Sequence, residues 1–239
     1  MRLGSSTVPA GGRKLILNTH QSPNFGPRKG VSRPDMVVIH YTATVSTNAA
    51  VATLCDPQAE VSAHYLIDQT GEVLALVPEK MRAWHAGAGQ WGAITDVNSH
   101  SIGIELSNAG DEPFAAAQMD ALEELLSGIF DRWDIRPERV IGHSDMAPGR
   151  KIDPGTRFDW RRLARSGFGV WPEECVETGD FEQSMRAFGY TAPQTQEQLL
   201  NSFRLRFRPY ANGPLDDIDR AMITDLADRY PVDATTTSV

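Results

Sequence analysis

Apolar strands and amphipathic helices alternate along the middle of the chain. Residues 36–39 form a continuous apolar run that ends at His40, a pattern typical of a strand covered on both faces. Residues 101–106 and 140–141 are further apolar strands, and between them leucines and aromatics recur at helical spacing from Phe114 onward. Strands separated by helices predict an α/β fold, a mixed central β-sheet flanked by helices with its chemistry at the strand ends.

Shorter elements lie between the first two of these strands. Residues 46–54 can form a short helix capped by Ser46. Residues 63–67 and 73–77 are strand-like, and the sequence DQTG at 68–71 has the composition of a turn. This arrangement predicts a β-hairpin.

The composition changes twice along the chain and divides it into three segments. Residues 1–34 are rich in Gly, Pro, Ser and Asn, which predicts an extended N-terminal arm. Residues 35–175 carry the alternating strands and helices and form the predicted main domain. Residues 176–239 contain three short amphipathic helices, at 181–188, 196–207 and 215–230, the pattern of a small all-α C-terminal domain. Because roughly sixty residues are few for an independent core, we expect these helices to dock on the main domain.

Charge and composition exclude several classes of function. The 239 residues include 23 Lys plus Arg and 31 Asp plus Glu, a net charge of −8, which argues against sequence-independent nucleic-acid binding. No stretch approaches the roughly 18 apolar residues of a membrane span, and no secretory signal is visible near the start. Cys55 and Cys175 suit a reducing compartment, although one long-range disulfide between them remains open. A cytoplasmic protein is therefore expected, with a periplasmic or outer-membrane-attached one as the alternative if the natural chain begins further upstream.

Histidines lie at the ends of two of the predicted strands. His40 ends the first strand, His143 follows residues 140–141, and Asp153 stands ten positions beyond His143. Two imidazoles and one carboxylate, with water in a fourth position, form the ligand set of an open catalytic zinc site. Because the chain has no HExxH motif, spacing alone does not establish such a site.

Five ordered motifs resemble those of the zinc N-acetylmuramoyl-L-alanine amidases. This amidase-2 family also includes phage T7-type lysozyme and the peptidoglycan recognition proteins. The motifs are VIHYT at 38–42, SAHY at 62–65, AWHAG at 83–87, SIGIE at 101–105, and GHSD at 142–145 with KIDPG at 151–155. The resemblance covers about residues 20–170. The sequence QSPNF at 21–25 and the helical tail with FRP at 207–209 are similar to the AmiD-like branch, whose tail resembles a peptidoglycan-binding module.

The resemblance implies a role for each of five residues. His40, His143 and Asp153 would hold one Zn²⁺ ion. Glu105 would take the proton of the attacking water and pass it to the departing amine, and Lys151 would stabilise the transition state. Two alternatives remain: Glu105 could be a surface carboxylate on an edge strand, and Lys151 could pair only with Asp153.

Further residues near these motifs are weaker candidates. His85 and Trp84 lie in a glycine-containing loop that could line the cleft and contact the sugar or peptide. His64 is a candidate either to bind substrate or to orient a ligand. Asp145 could accept a hydrogen bond beside His143 or form a turn or cap. The helical tail could bind the cell wall or act as a packing cap on the catalytic domain.

The predicted function is hydrolysis of the amide bond between the lactyl group of N-acetylmuramic acid, or its anhydro form, and L-alanine of the stem peptide. The expected substrates are anhydro-muropeptides or murein, in peptidoglycan recycling or turnover. The alternatives are a phage-type lytic amidase and a module that recognises peptidoglycan without cutting it. All three ligand positions and both assisting residues are present, which favours catalysis. AmiD-like relatives are often exported lipoproteins with a lipobox cysteine, and the lack of cysteine in residues 1–54 favours a cytoplasmic enzyme.

Overall fold

The computed structural model describes residues 17–173 and 178–233. The strands are β1 (Leu17–Thr19), β2 (Phe25–Pro27), β3 (Met36–Tyr41), β4 (Tyr65–Ile67), β5 (Val73–Ala75), β6 (Met81–Ala83), β7 (Ser101–Leu106) and β8 (Val140–Gly142). The helices are α1 (Thr47–Leu54), α2 (Val97–His100), α3 (Ala116–Trp133), α4 (His143–Met146), α5 (Trp160–Arg165), α6 (Phe181–Phe188), α7 (Gln196–Phe207) and α8 (Asp217–Arg229). A 3₁₀ turn at Pro137–Arg139 precedes β8.

Six strands form a mixed sheet in the order β1-β5-β4-β7-β3-β8. Strand β3 pairs in parallel with β7 and β8, whereas β4 and β5 form the predicted antiparallel hairpin. The predicted mixed sheet flanked by helices is therefore present. Since β3, β7 and β8 run in parallel, their carboxyl ends meet at one edge of the sheet.

Part of the predicted N-terminal arm is built into sheets. Strand β1 adds an edge to the main sheet by pairing with β5, and β2 pairs antiparallel with β6 in a separate two-stranded sheet. Three-residue strands carry too few positions for a periodic signal, so their pairing is decided by tertiary contacts. Residues 1–16 of the arm lie outside the described residues.

The sheet is covered on both faces. Val37 and Ile39 of β3 belong to a buried cluster that includes the apolar face of α3. Met36 and Val38 alternate with them and belong to a second cluster, which includes the aromatic side chains of α6 and α7. The C-terminal helices thus share a hydrophobic cluster with the sheet, and the domain boundaries at 34/35 and 175/176 stay predictions.

Two further expectations concern cysteines and membranes. Cys55 is half-buried, whereas Cys175 lies outside the described residues, as does any disulfide between the two. Within residues 17–173 and 178–233, none of the helices combines the length and apolar character that a bilayer crossing requires.

Candidate active site

Three side chains converge at the carboxyl edge of the sheet. His40 lies near the end of β3, His143 begins α4 directly after β8, and Asp153 comes from the loop that follows. The Nδ1 atoms of His40 and His143 are 3.0 Å apart, and each lies 3.0 Å from Oδ2 of Asp153. All three residues are buried. They form a group whose ligand atoms could hold a metal ion.

The spacing of these atoms fits a tetrahedral ion. Nitrogen and oxygen ligands bind zinc at about 2.0–2.1 Å, which separates neighbouring ligand atoms of a tetrahedron by about 3.3 Å. The observed separations of 3.0 Å are slightly shorter, so a small outward movement of the three side chains accommodates the ion. A fourth position remains toward the cleft, as in an open catalytic site.

A chain of hydrogen bonds sets the tautomer of His40. The Ser101 hydroxyl donates its hydrogen to the carbonyl of Val97 at 2.6 Å, so its oxygen accepts from Nε2–H of His85 at 3.1 Å. The other nitrogen of His85, Nδ1, then accepts from Nε2–H of His40 at 3.0 Å. Because a neutral imidazole carries one proton, Nδ1 of His40 presents a lone pair to the metal position.

The second imidazole is oriented by the backbone. Nε2–H of His143 donates to the carbonyl of Ala86 at 2.9 Å, which leaves its Nδ1 as a lone pair beside that of His40. Two nitrogen lone pairs and a carboxylate oxygen therefore point at one position. Without a cation these electron pairs repel one another, and with one they form a complete ligand set.

Burial keeps the imidazoles of His40 and His85 neutral. It lowers the pKa of His40 to about 4, helped by repulsion from His143, and it lowers the pKa of His85 well below its ordinary value. Neutral imidazole is the form that binds a metal ion, so His40 is ready for binding at neutral pH without loss of a proton.

Glu105 lies beside the ligands and not on an edge strand. It is the register partner of His40 in the parallel pair β3/β7, and β7 lies inside the sheet between β4 and β3. Its Oε2 atom is buried without a hydrogen-bond partner among the described residues. Burial and the charge of Asp153 raise the pKa of Glu105 to about 8. The carboxyl group is thus suited to proton transfer near neutral pH.

Lys151 and Trp84 are half-buried and line the same cleft, which has a volume of about 540 Å³. Among the ion pairs of the described residues there is none between Lys151 and Asp153, so the alternative of a simple pair is not what the structure shows. The ammonium group of Lys151 therefore remains available to a ligand in the cleft. Ile152 and Val61 add exposed apolar surface to the cleft walls.

His85 and His64 are both buried, and of the two His85 lines the cleft. His85 supports His40 from behind and packs against β7, where a Cβ at Gly103 would come within 2.5 Å of its ring. His64 is fully buried, with Nδ1 accepting from the Gly103 amide at 2.9 Å and Nε2–H donating to Met81 at 3.1 Å. His64 thus supports β7 and His85 from below the cleft, and both expectations for it, substrate contact and orientation of a ligand, stay predictions.

Two residues of the site were not among the sequence candidates. Ser101 ends the hydrogen-bond chain that orients His40, and Arg150 donates to the carbonyls of Ala86, at 2.7 Å, and Ala88. Arg150 thereby holds the loop whose carbonyl orients His143. Both lie in or beside the motifs at 101–105 and 151–155, but only tertiary geometry shows what they bond.

Comparisons with known proteins agree with this geometry. The model of a family described as N-acetylmuramoyl-L-alanine amidase (Amidase_2) matches residues 30–156. The N-acetylmuramoyl-L-alanine amidase AmiD of Escherichia coli is 35% identical over 237 residues, covering 84% of this chain and 85% of that protein. The 1,6-anhydro-N-acetylmuramyl-L-alanine amidase AmpD of Haemophilus influenzae is 35% identical over 164 residues, covering 61% and 89%.

Two solved structures with bound ligands are similar over nearly their whole length. The complex of Escherichia coli AmiD with anhydro-N-acetylmuramic acid-L-Ala-D-gamma-Glu-L-Lys has a TM-score of 0.75 at 32% identity, covering 87% of this chain and 98% of that one. AmpDh3 of Pseudomonas aeruginosa with an anhydromuramic pentapeptide has a TM-score of 0.75 at 29% identity, covering 95% and 99%. These similarities confirm the predicted fold class.

Proposed function

The chain belongs to the N-acetylmuramoyl-L-alanine amidase family, and on that premise we propose that it cleaves the amide bond between the lactyl group of N-acetylmuramic acid and L-alanine. The family predicted from the five motifs is confirmed. One observation carries the proposal: the lone pairs of His40, His143 and Asp153 converge at one point of an open cleft, beside the unpartnered carboxyl group of Glu105. A module that only recognises peptidoglycan has no need of that complete set.

The same residues support one Zn²⁺ ion per chain. Two neutral imidazoles and a carboxylate with an open fourth position suit catalytic zinc, and the near-tetrahedral spacing agrees with it. Bound zinc supplies a Lewis acid that polarises the amide carbonyl and makes water a nucleophile at neutral pH.

Glu105 and Lys151 supply the proton transfer and part of the charge stabilisation. Ionised Glu105 takes a proton from the attacking water and delivers it to the amine of L-alanine as the C–N bond breaks. A cation held by the three ligands would favour the ionised form of Glu105. The ammonium group of Lys151 stabilises the negative charge that develops on the carbonyl oxygen.

Soluble anhydro-muropeptides are the proposed substrates, in peptidoglycan recycling. Both solved relatives carry anhydro-muramyl peptides, and the curated AmpD relative is named for the 1,6-anhydro sugar. Trp84 and the apolar walls at Val61 and Ile152 offer surface for the sugar and peptide. The cytoplasmic compartment expected from the sequence stays a prediction.

The test supplies zinc-loaded protein with a soluble anhydro-muropeptide and, in parallel, with intact sacculi, and identifies products by mass spectrometry. We expect the free stem peptide and its anhydro-sugar partner from the soluble substrate, and loss of turnover when a chelator removes the metal. Release from the soluble substrate alone supports recycling, whereas equal release from sacculi supports a wall amidase.

His143→Ala and His100→Ala form a matched pair of variants for this assay. His100 is a half-buried histidine that bonds to Asp35 away from the cleft. We expect the first variant to lose both zinc and turnover and the second to keep both. Turnover that persists after metal removal, or no turnover with zinc confirmed as bound, contradicts the proposal.

A further inference from the structure

Helix α7 presents a polar stripe to the segment that carries His143. Gln198, Ser202 and Arg206 are spaced four residues apart and therefore share one helix face. The Ser202 hydroxyl donates to the carbonyl of Ser144, the residue after His143, at 3.0 Å. Gln198 lies close to Gly149: a Cβ added to Gly149 would lie 2.5 Å from the side-chain amide nitrogen of Gln198. The stripe thus follows the segment on the C-terminal side of β8.

Asp145 accepts the contact that Arg206 makes. It is completely buried, two residues after His143, and its Oδ2 accepts from Nη1 of Arg206 at 2.8 Å. Its Oδ1 accepts from the hydroxyl of Tyr190, and its Oδ2 also accepts from the amide of Gly142 at 2.7 Å. We call these three donors, Arg206, Tyr190 and the Gly142 amide, the Asp145 clamp. Two of them come from the C-terminal helical segment and the third from the residue before His143.

Arg206 also connects the C-terminal helices to strand β8. A second guanidinium nitrogen of Arg206 donates to the carbonyl of Val140 at 3.2 Å, and the guanidinium lies 4.3 Å from the centre of the Trp160 ring. Trp160 in turn packs on Gly142, where an added Cβ would lie 3.2 Å from its ring. The backbone on both sides of His143 is therefore held by contacts that converge on Arg206.

A buried ion pair is a poor way to stabilise a core. Desolvation of the two charges offsets their attraction, and well-packed apolar side chains of similar volume are often at least as stabilising. Such a pair does define one geometry, because only one arrangement satisfies all of its hydrogen bonds. At Asp145 that geometry is the turn from β8 into α4, on which the direction of His143 depends.

We propose that the C-terminal helical segment is a positioning part of the metal centre, acting through the Asp145 clamp on His143. The inference rests on the proposed zinc site. Arg206 and Tyr190 lie beyond residues 30–156, the part matched by the family, so these two donors of the clamp are additions to the matched catalytic unit. The helices therefore do more than cover the sheet, and Arg206 and Tyr190 are positioning residues for a metal ligand.

The test measures zinc affinity of the full chain by competition with a chromophoric chelator. Tyr190→Phe removes one donor of the clamp, and Arg206→Lys keeps the charge but cannot reproduce the paired contacts with Asp145 and Val140. We expect each variant to raise the zinc Kd about tenfold or more, the range typical for residues that orient ligands. At saturating Co²⁺, we expect the absorption bands of both variants to shift, since the ligand geometry itself changes.

Arg204→Lys is the matched control. Arg204 lies on the same helix and is similarly buried, but its guanidinium bonds to Asp219, Gly213 and Pro214 within the helical segment. We expect a zinc Kd within twofold of the wild type and an unshifted Co²⁺ spectrum, even if the melting temperature falls. Circular dichroism confirms that each variant is folded at the assay temperature. If Arg206→Lys does not fold, the zinc affinity of Tyr190→Phe alone decides the test.

The outcomes separate this inference from the proposed function. Wild-type affinity in both clamp variants overturns the inference and leaves the amidase intact. An equal loss in Arg204→Lys also overturns it, because the effect is then one of general stability. A wild-type protein that binds no zinc overturns the proposed function together with the clamp.

Discussion

At the scale of single residues, the proposed metal centre depends on hydrogen bonds that begin at residues away from the three ligands. Ser101 has one hydrogen, which it gives to Val97, and this leaves it an acceptor for His85. The same direction of donation continues from His40 to His85, and it leaves Nδ1 of His40 with a lone pair. The sequence motifs predicted the three ligands, but Ser101 and His85 come from different segments, so their roles follow only from tertiary structure.

Glu105→Gln tests the proton transfer. The amide is nearly isosteric but cannot accept the water's proton at neutral pH, so we expect kcat to fall by about 10²–10⁴-fold while zinc content stays that of the wild type. Zinc is measured by metal analysis and kcat on a soluble anhydro-muropeptide. Glu124→Gln on α3, away from the cleft, is the control and should keep the full rate. Full activity in Glu105→Gln excludes the acid–base role.

His64 should contribute to the loss of folding stability at acidic pH. Burial lowers its pKa from the ordinary 6.5 to about 4. Between these values the unfolded chain binds a proton that the folded protein does not, so the free energy of unfolding falls as pH falls through this window, by about 2–3 kcal/mol from His64. In His64→Asn this contribution is absent, so the variant should be less stable at pH 7 but lose less stability toward pH 4.5.

Urea titrations of the metal-stripped protein at several pH values measure this difference. His20→Asn, a substitution of an exposed histidine, is the control and should follow the wild-type pH dependence. Stability curves for His64→Asn and the wild type that run parallel from pH 7 to pH 4.5 would exclude the contribution of His64.

At the scale of elements, long or well-capped segments were predictable and short ones were not. Strand β7 and helices α6 and α7 have the predicted bounds, because the strand is continuously apolar and the helices begin at Asp180 and Thr195, whose side chains cap them. Strands β1, β2 and β6 and helices α2, α4 and α5 were not predicted. Each is at most six residues long and depends on neighbours distant in sequence.

Gly103→Ala tests the close packing of β7 on the histidines. A methyl group there would lie 2.5 Å from Cγ of His85, so we expect a loss of about 2 kcal/mol in unfolding free energy and weaker zinc binding as His85 moves away from His40. Gly26→Ala in β2, where nothing lies within 4 Å of the added atom, should change neither. Denaturant unfolding and chelator competition measure the two effects. Unchanged zinc affinity in a destabilised Gly103→Ala would show that His85 does not position His40.

At the scale of the whole molecule, the α/β class and the position of the chemistry at the strand ends followed from the sequence. Parallel strands bring His40, Glu105 and His143 to one edge, which sequence order alone predicts once the strands are recognised. The second face of the sheet was less predictable. The periodicity of the C-terminal helices indicated apolar faces but did not show that these faces join Met36 and Val38 of β3.

That shared cluster bears on how such enzymes can be recombined in evolution. A binding module that is joined to an enzyme only by a linker can be exchanged between enzymes, because its removal does not expose the hydrophobic core of the enzyme or of the module. Here an exchange of the tail would uncover one face of the central sheet and leave the carboxylate of Asp145 without its cationic partner. The catalytic part and its tail are therefore expected to be inherited as one unit and to change sequence together.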